Sequence, residues 1–182
     1  MSKAFKPLDR YIVKPVAKAA VSTISITNRQ RTKKINTRLL KQIVNKLFVE
    51  LKISEAELGI ALVSAKEMAK VNWQFLQHEG STDVITFDHQ NAEARMQKPE
   101  LKLHGELFVC VDEAILQAKK FKTNWQSEVV RYIAHGVLHL LGYDDLKPAL
   151  RREMKRAENQ LMRQLAKKFS FADLSRPVKL RA

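Results

Sequence analysis

The stretch 135–145, HGVLHLLGYDD, sets two histidines four residues apart in an apolar run, then a glycine, then two aspartates. On an α-helix, residues four apart stand one above the other on a single face, so His135 and His139 can aim their imidazoles at one point. Gly142 can take the left-handed conformation that closes a helix. The chain then turns back, and Asp145, six residues beyond His139, falls where a third ligand would reach the same point. The spacing predicts a helix from about Ser127 to Gly142 carrying a metal motif, His-x3-His-x5-Asp, of zincin-like kind.

Three protein ligands with an open fourth position suit a catalytic zinc ion, because water must bind there and lose a proton. The catalytic group that follows is a metal-bound water with a pKa of about 7. An aspartate in place of a third imidazole lowers the charge of the centre and makes manganese or another oxygen-tolerant metal easier to accept. Asp144 is either an alternative ligand or an outer acceptor that orients a histidine. The plainer reading is a pair of half-buried histidines with no ion between them. A zinc peptidase of the His-Glu-x-x-His kind carries its general base straight after the first histidine, where this chain has Gly136. That argues against a peptidase.

Upstream, TISITN (23–28) has the β-branched alternation of a strand, and TRLLKQIVNKLFVEL (37–51) the spacing of an amphipathic helix. LGIALVS (58–64) reads as a short apolar strand, followed by a helix over 65–76 with Ser64 as its cap. STDVITFD (81–88) and GELFVCV (105–111) are two further strands, separated by a polar stretch over 89–104. A helix over 112–121 begins with two acids and ends near two lysines, as the helix dipole prefers. After the histidine helix, 147–169 forms a long basic helix with Pro148 in its first turn. The pattern predicts an α+β fold: a small mixed, mostly parallel four-stranded sheet flanked by about five helices.

At 182 residues, 45% hydrophobic and 29% charged, the chain has the size and balance of one folded domain. We place it at 23–169, after a basic N-terminal arm (1–22) and before a loose C-terminal tail (170–182). The net charge of +14 is unevenly spread: residues 1–50 carry 12 basic against 2 acidic side chains, 51–146 carry 10 against 14, and 147–182 carry 11 against 3. Basic ends of this size suit a polyanion, most often nucleic acid. Cys110 is the only cysteine, which excludes an internal disulfide and a thiol-rich metal site and fits a cytoplasmic protein. No apolar run approaches the roughly 20 residues that cross a bilayer, so no membrane partner is expected.

HGVLHLLGYDD, together with TDVITF (82–87) and GELFVCV (105–111) in this order and at these separations, resembles the YbeY family of metal-dependent endoribonucleases, also called ribosomal RNA maturation factors. The resemblance spans roughly 24–165. It implies a mostly parallel sheet with flanking helices and one zinc ion per chain on His135, His139 and Asp145, the last standing where the family's motif has a third histidine. It also implies an arginine ahead of TDV that helps phosphate chemistry, and here Leu76 takes that place. His78, two residues on, is the nearest candidate catalytic substitute, and an ordinary loop histidine on the plainer reading.

The activity implied is cleavage of single-stranded RNA in maturation of small-subunit (16S) ribosomal RNA and in ribosome quality control, with ribosomal RNA and the small subunit as partners. Lys33, Lys34, Arg38 and Lys41 on one side, and Arg151, Arg152, Lys155 and Arg156 on the other, are candidates to guide the phosphate backbone. Trp73, Phe75 and Trp125 are candidates to stack on bases, or else simply pack. The departures at Leu76 and Asp145 motivate a second reading, an assembly factor that binds RNA and cuts weakly or not at all.

Overall fold

Strand and helix alternate as far as residue 88, a further strand ends at residue 110, and helices follow. The computed structural model describes residues 21–90 and 101–176, and there this order becomes a single four-stranded sheet with helices against it. The elements are β1 (Val21–Asn28), α1 (Thr37–Glu50), β2 (Ile53–Val63), α2 (Ala65–Leu76), β3 (Val84–Asp88), β4 (Leu101–Cys110), α3 (Val111–Phe121), α4 (Trp125–Leu140) and α5 (Pro148–Ala166). The strand order is β1-β2-β4-β3. β1 and β4 flank β2 in parallel, and β3 runs antiparallel along the outer edge of β4. The α+β class, the mostly parallel sheet and the five helices are those the sequence pattern predicts.

Side chains alternate across the sheet, and the two faces are filled differently. Leu58, Ile60 and Leu62 of β2 join Leu103, Leu107 and Val109 of β4 in the main core, under α1, α3, α4 and α5. Ala61, Val63, Ile85 and Cys110 point the other way, into a smaller cluster closed by Met68 of α2. α4 is apolar nearly all round, with Val129, Val130, Ile133, Ala134, Val137 and Leu138 at 2% exposure or less.

Several boundaries differ from expectation. β2 begins at Ile53 rather than at 58, because it is central and Ile53 and Ala56 alternate with solvent-facing Glu55 and Glu57. β4 likewise begins at Leu101, inside the stretch expected to be polar, since Leu103 packs inward between two exposed or half-exposed neighbours. α4 starts at Trp125, capped by Asn124, whose side chain accepts the Ser127 N–H. The expected tail is not loose throughout: Phe171–Ser175 form a 3-10 turn whose Leu174 is fully buried in the main core. The expected arm lies outside the described residues except for Val21 and Ser22, which open β1.

Candidate metal centre

α4 ends as Gly142 was expected to end it. Gly142 has φ +91°, its N–H bonds the His139 carbonyl at 2.8 Å, and the Tyr143 N–H bonds the Leu138 carbonyl at 3.0 Å. This pair of bonds is the Schellman closure. It also brings the Tyr143 carbonyl oxygen to 3.0 Å from His139 Nδ1. A carbonyl only accepts, so Nδ1 carries the proton and Nε2 presents its lone pair.

His135 is oriented in the same sense by another partner. Its Nδ1 lies 3.1 Å from Oε2 of Glu158, a buried carboxylate of α5. The two Nε2 atoms then face each other at 3.1 Å, and Asp145 Oδ2 lies 4.0 Å from that of His135. Donor atoms of His135, His139 and Asp145 all fall within 4.8 Å of one another. A tetrahedral ion about 2.1 Å from each nitrogen would hold the pair roughly 3.4 Å apart, close to the distance seen, so this donor set fits a transition metal.

Asp144, expected to be a ligand or an orienting acceptor, does neither: its Oδ1 accepts the Leu146 N–H at 2.9 Å and so shapes the turn. The orienting part falls to Glu158, which the sequence reading did not single out. Its signal was present as one carboxylate at helical spacing among Met154, Ala157, Leu161 and Leu165, the buried stripe of a basic helix. Burial pushes the Glu158 carboxyl up, but hydrogen bonds from His135, Arg131 and Lys155 outweigh it and bring it down to about 2. Arg131, one turn before His135, was missed too; it bonds Glu158 and, at 3.0 Å, Asn159 Oδ1.

From the triad a groove of ≈ 660 Å³ runs along α4. Of the eight basic residues expected to meet RNA, Arg151, Arg152 and Lys155 line it, beside Arg131. Arg151 also bonds the Asp145 carbonyl oxygen through Nε at 2.9 Å, which fixes the ligand turn. Lys33, Lys34, Arg38, Lys41 and Arg156 are exposed but are not among the lining residues, and neither are Leu76 and His78 at the end of α2. Trp125 packs against the core, and Phe75 meets Phe87 edge to face at 4.9 Å.

The model of the family described as endoribonuclease YbeY matches residues 25–166. The chain belongs to the YbeY endoribonuclease family. The YbeY of Salinibacter ruber is 27% identical over 140 residues, covering 76% of this chain and 89% of its own. That of Syntrophotalea carbinolica is 32% identical over 139 residues, covering 74% and 91%. For the Myxococcus xanthus YbeY the match, 28% identical, spans 87% of this chain and about half, 53%, of the relative. The solution structure of TM1509 from Thermotoga maritima shares the fold, with a TM-score of 0.55 and 24% identity over 87% of this chain and 100% of that one. Membership makes the chain one of a family of metal-dependent endoribonucleases, acting on RNA. No helix among the described residues is long and apolar enough to cross a membrane.

Proposed function

We propose that this YbeY-family chain cleaves single-stranded RNA in the maturation of small-subunit ribosomal RNA, using one zinc ion held by His135, His139 and Asp145. The observation that carries this reading is the convergence of two oriented Nε2 lone pairs and one carboxylate at the end of a groove lined by cations. When bound there, the ion supplies a Lewis acid that acidifies water and polarises a phosphoryl oxygen.

The chain's own residues do the rest. Glu158 and the Tyr143 carbonyl hold the two imidazoles in the ligating tautomer. Arg151, Arg152 and Lys155 hold the backbone phosphates in the groove and offset the charge that grows on the reacting phosphate. In this scheme these cations supply the positive charge missing at Leu76; a factor that binds RNA and cuts weakly or not at all is the second reading. His78, outside the groove, has no part in this scheme.

Elemental analysis of the purified protein, paired with cleavage of single-stranded oligoribonucleotides, tests the proposal. We expect about one zinc per chain, loss of cleavage on chelation, and at least ten-fold loss of both metal affinity and activity in Asp145→Ala. Activity that survives chelation or Asp145→Ala intact would sink the metal reading. Ends carrying 5′-phosphate and 3′-hydroxyl mark attack by water; a cyclic phosphate marks attack by the RNA's own 2′-hydroxyl.

A further inference from the structure

Only one end of the groove is taken up by the ligands and the phosphate-holding cations. On α4, Glu128, Arg131, Tyr132 and His135 share a face, at intervals of three and four residues. Glu128 stands seven residues before His135, so the groove extends roughly 10 Å from the triad along the helix axis. That is a step of one or two nucleotides along an unstacked strand. The far end is walled by Gln117 and Phe121 of α3 and by Thr123 in the connection to α4.

Three observations there call for a ligand. The Tyr132 residue is 5% exposed, and its hydroxyl, buried, is the only such side-chain atom without a hydrogen-bond partner among the described residues. A buried, unmade hydrogen bond is costly, and natural sites that retain one commonly complete it with a bound molecule. Phe121, at the lip, is 61% exposed beside a cavity, and the Lys120 ammonium 5.4 Å from its ring centroid leaves the other face of the ring for a base. The Gln117 side chain, which can both donate and accept, makes no hydrogen bond among the described residues.

We propose that this end of the groove is a nucleobase subsite: a base one or two nucleotides from the reacting phosphate stacks on Phe121 and is read by Tyr132 and Gln117. This rests on the RNA-cleaving reading and adds sequence preference to it. The wall is rich in acceptors: Glu128 takes the Thr123 hydroxyl at 2.6 Å, and Asp83, also in the lining, takes the Val84 N–H at 2.9 Å. Uracil would turn two carbonyl oxygens toward these carboxylates, with its single N3–H donor between them. Adenine, cytosine and guanine each offer an exocyclic amino group instead, so the subsite selects an amino-bearing base over uracil. Burial and the nearby Asp83 and Glu128 carboxylates push the Tyr132 hydroxyl well above its ordinary range, which keeps its proton available for donation.

Base preference is the readout. Oligoribonucleotides that vary at the two positions on each side of the cut are offered to the metal-loaded full chain; kcat/KM is measured for cleavage and fluorescence anisotropy for binding. We expect one position at which A, C or G exceeds U by roughly ten-fold. Tyr132→Phe and Phe121→Ala should each cut that ratio to about three-fold or less, and Phe121, being exposed, can be replaced without disturbing the fold. Equal rates for all four bases at every position, or a preference that both variants keep intact, overturn the subsite while the nuclease stands. Base-dependent binding without cleavage keeps the subsite and overturns the nuclease. Failure to bind any single strand overturns both.

Discussion

Each oxygen of the Glu158 carboxylate has its own task. Oε2 meets His135 Nδ1, while Oε1 receives Arg131 and Lys155 from the groove wall. One side chain thus ties the candidate ligand set to the cations that line the groove. Replacing it by glutamine removes the charge that favours the Nδ1–H tautomer of His135. We expect Glu158→Gln to weaken metal binding by about 10- to 100-fold, measured by competition with a chromogenic chelator. The same residue sets an acid limit on stability. Its folded-state carboxyl lies at about 2 against 4.5 unfolded, so its stabilisation is complete above 4.5 and is lost as pH falls toward 2. Between those values the metal-free wild type should lose roughly 3 kcal/mol more than Glu158→Gln in urea titrations. That His135, His139 and Asp145 come together was legible in the sequence, because helical spacing and one glycine bring them to one place. Glu158 was not, because nothing in a basic helix says which distant residue its single inward carboxylate will meet.

Among the elements, α4 and the antiparallel β3–β4 pair set the position of the candidate ligands. Gly105 of β4 lies where a Cβ would stand 2.6 Å from the Phe87 carbonyl oxygen and 3.0 Å from Leu140, the neighbour of His139. Backbone cannot yield cheaply there, so Gly105→Ala should cost about 2–3 kcal/mol in urea unfolding and lower metal affinity as well. Gly136→Ala is a useful contrast. Its Cβ would meet a Leu107 methyl at 2.8 Å, which can shift, and alanine returns about 1 kcal/mol of helix propensity. The expected outcome is a smaller loss than at Gly105. The helices were read within a few residues because their apolar periodicity and caps are local. β2 and β4 were read short, because they extend into segments where only one side chain in two is buried and polar neighbours hide that alternation, whereas β3, expected over 81–88, begins only at Val84.

On the scale of the whole molecule, charge and core are built by different parts of the chain. The charge map correctly suggested a polyanion for this RNA-cleaving family, but spacing alone could not say which basic residues share a groove. We expect binding of a single-stranded oligoribonucleotide to weaken with salt. Arg151→Gln, Arg152→Gln and Lys155→Gln should each lower the log–log salt slope by about 0.7, whereas Lys33→Gln and Lys34→Gln should leave it unchanged. Equal effects at both sets would place the strand elsewhere. The core, in turn, draws on residues far apart in the chain. Leu174 is fully buried, and its carbonyl accepts the Asn36 N–H at the start of α1 with a 2.8 Å bond. During synthesis, α1 and the first two strands leave the ribosome long before that partner exists. The domain therefore completes its core only after residue 174 has cleared the exit tunnel, so the last segment synthesised closes a core begun by the first elements.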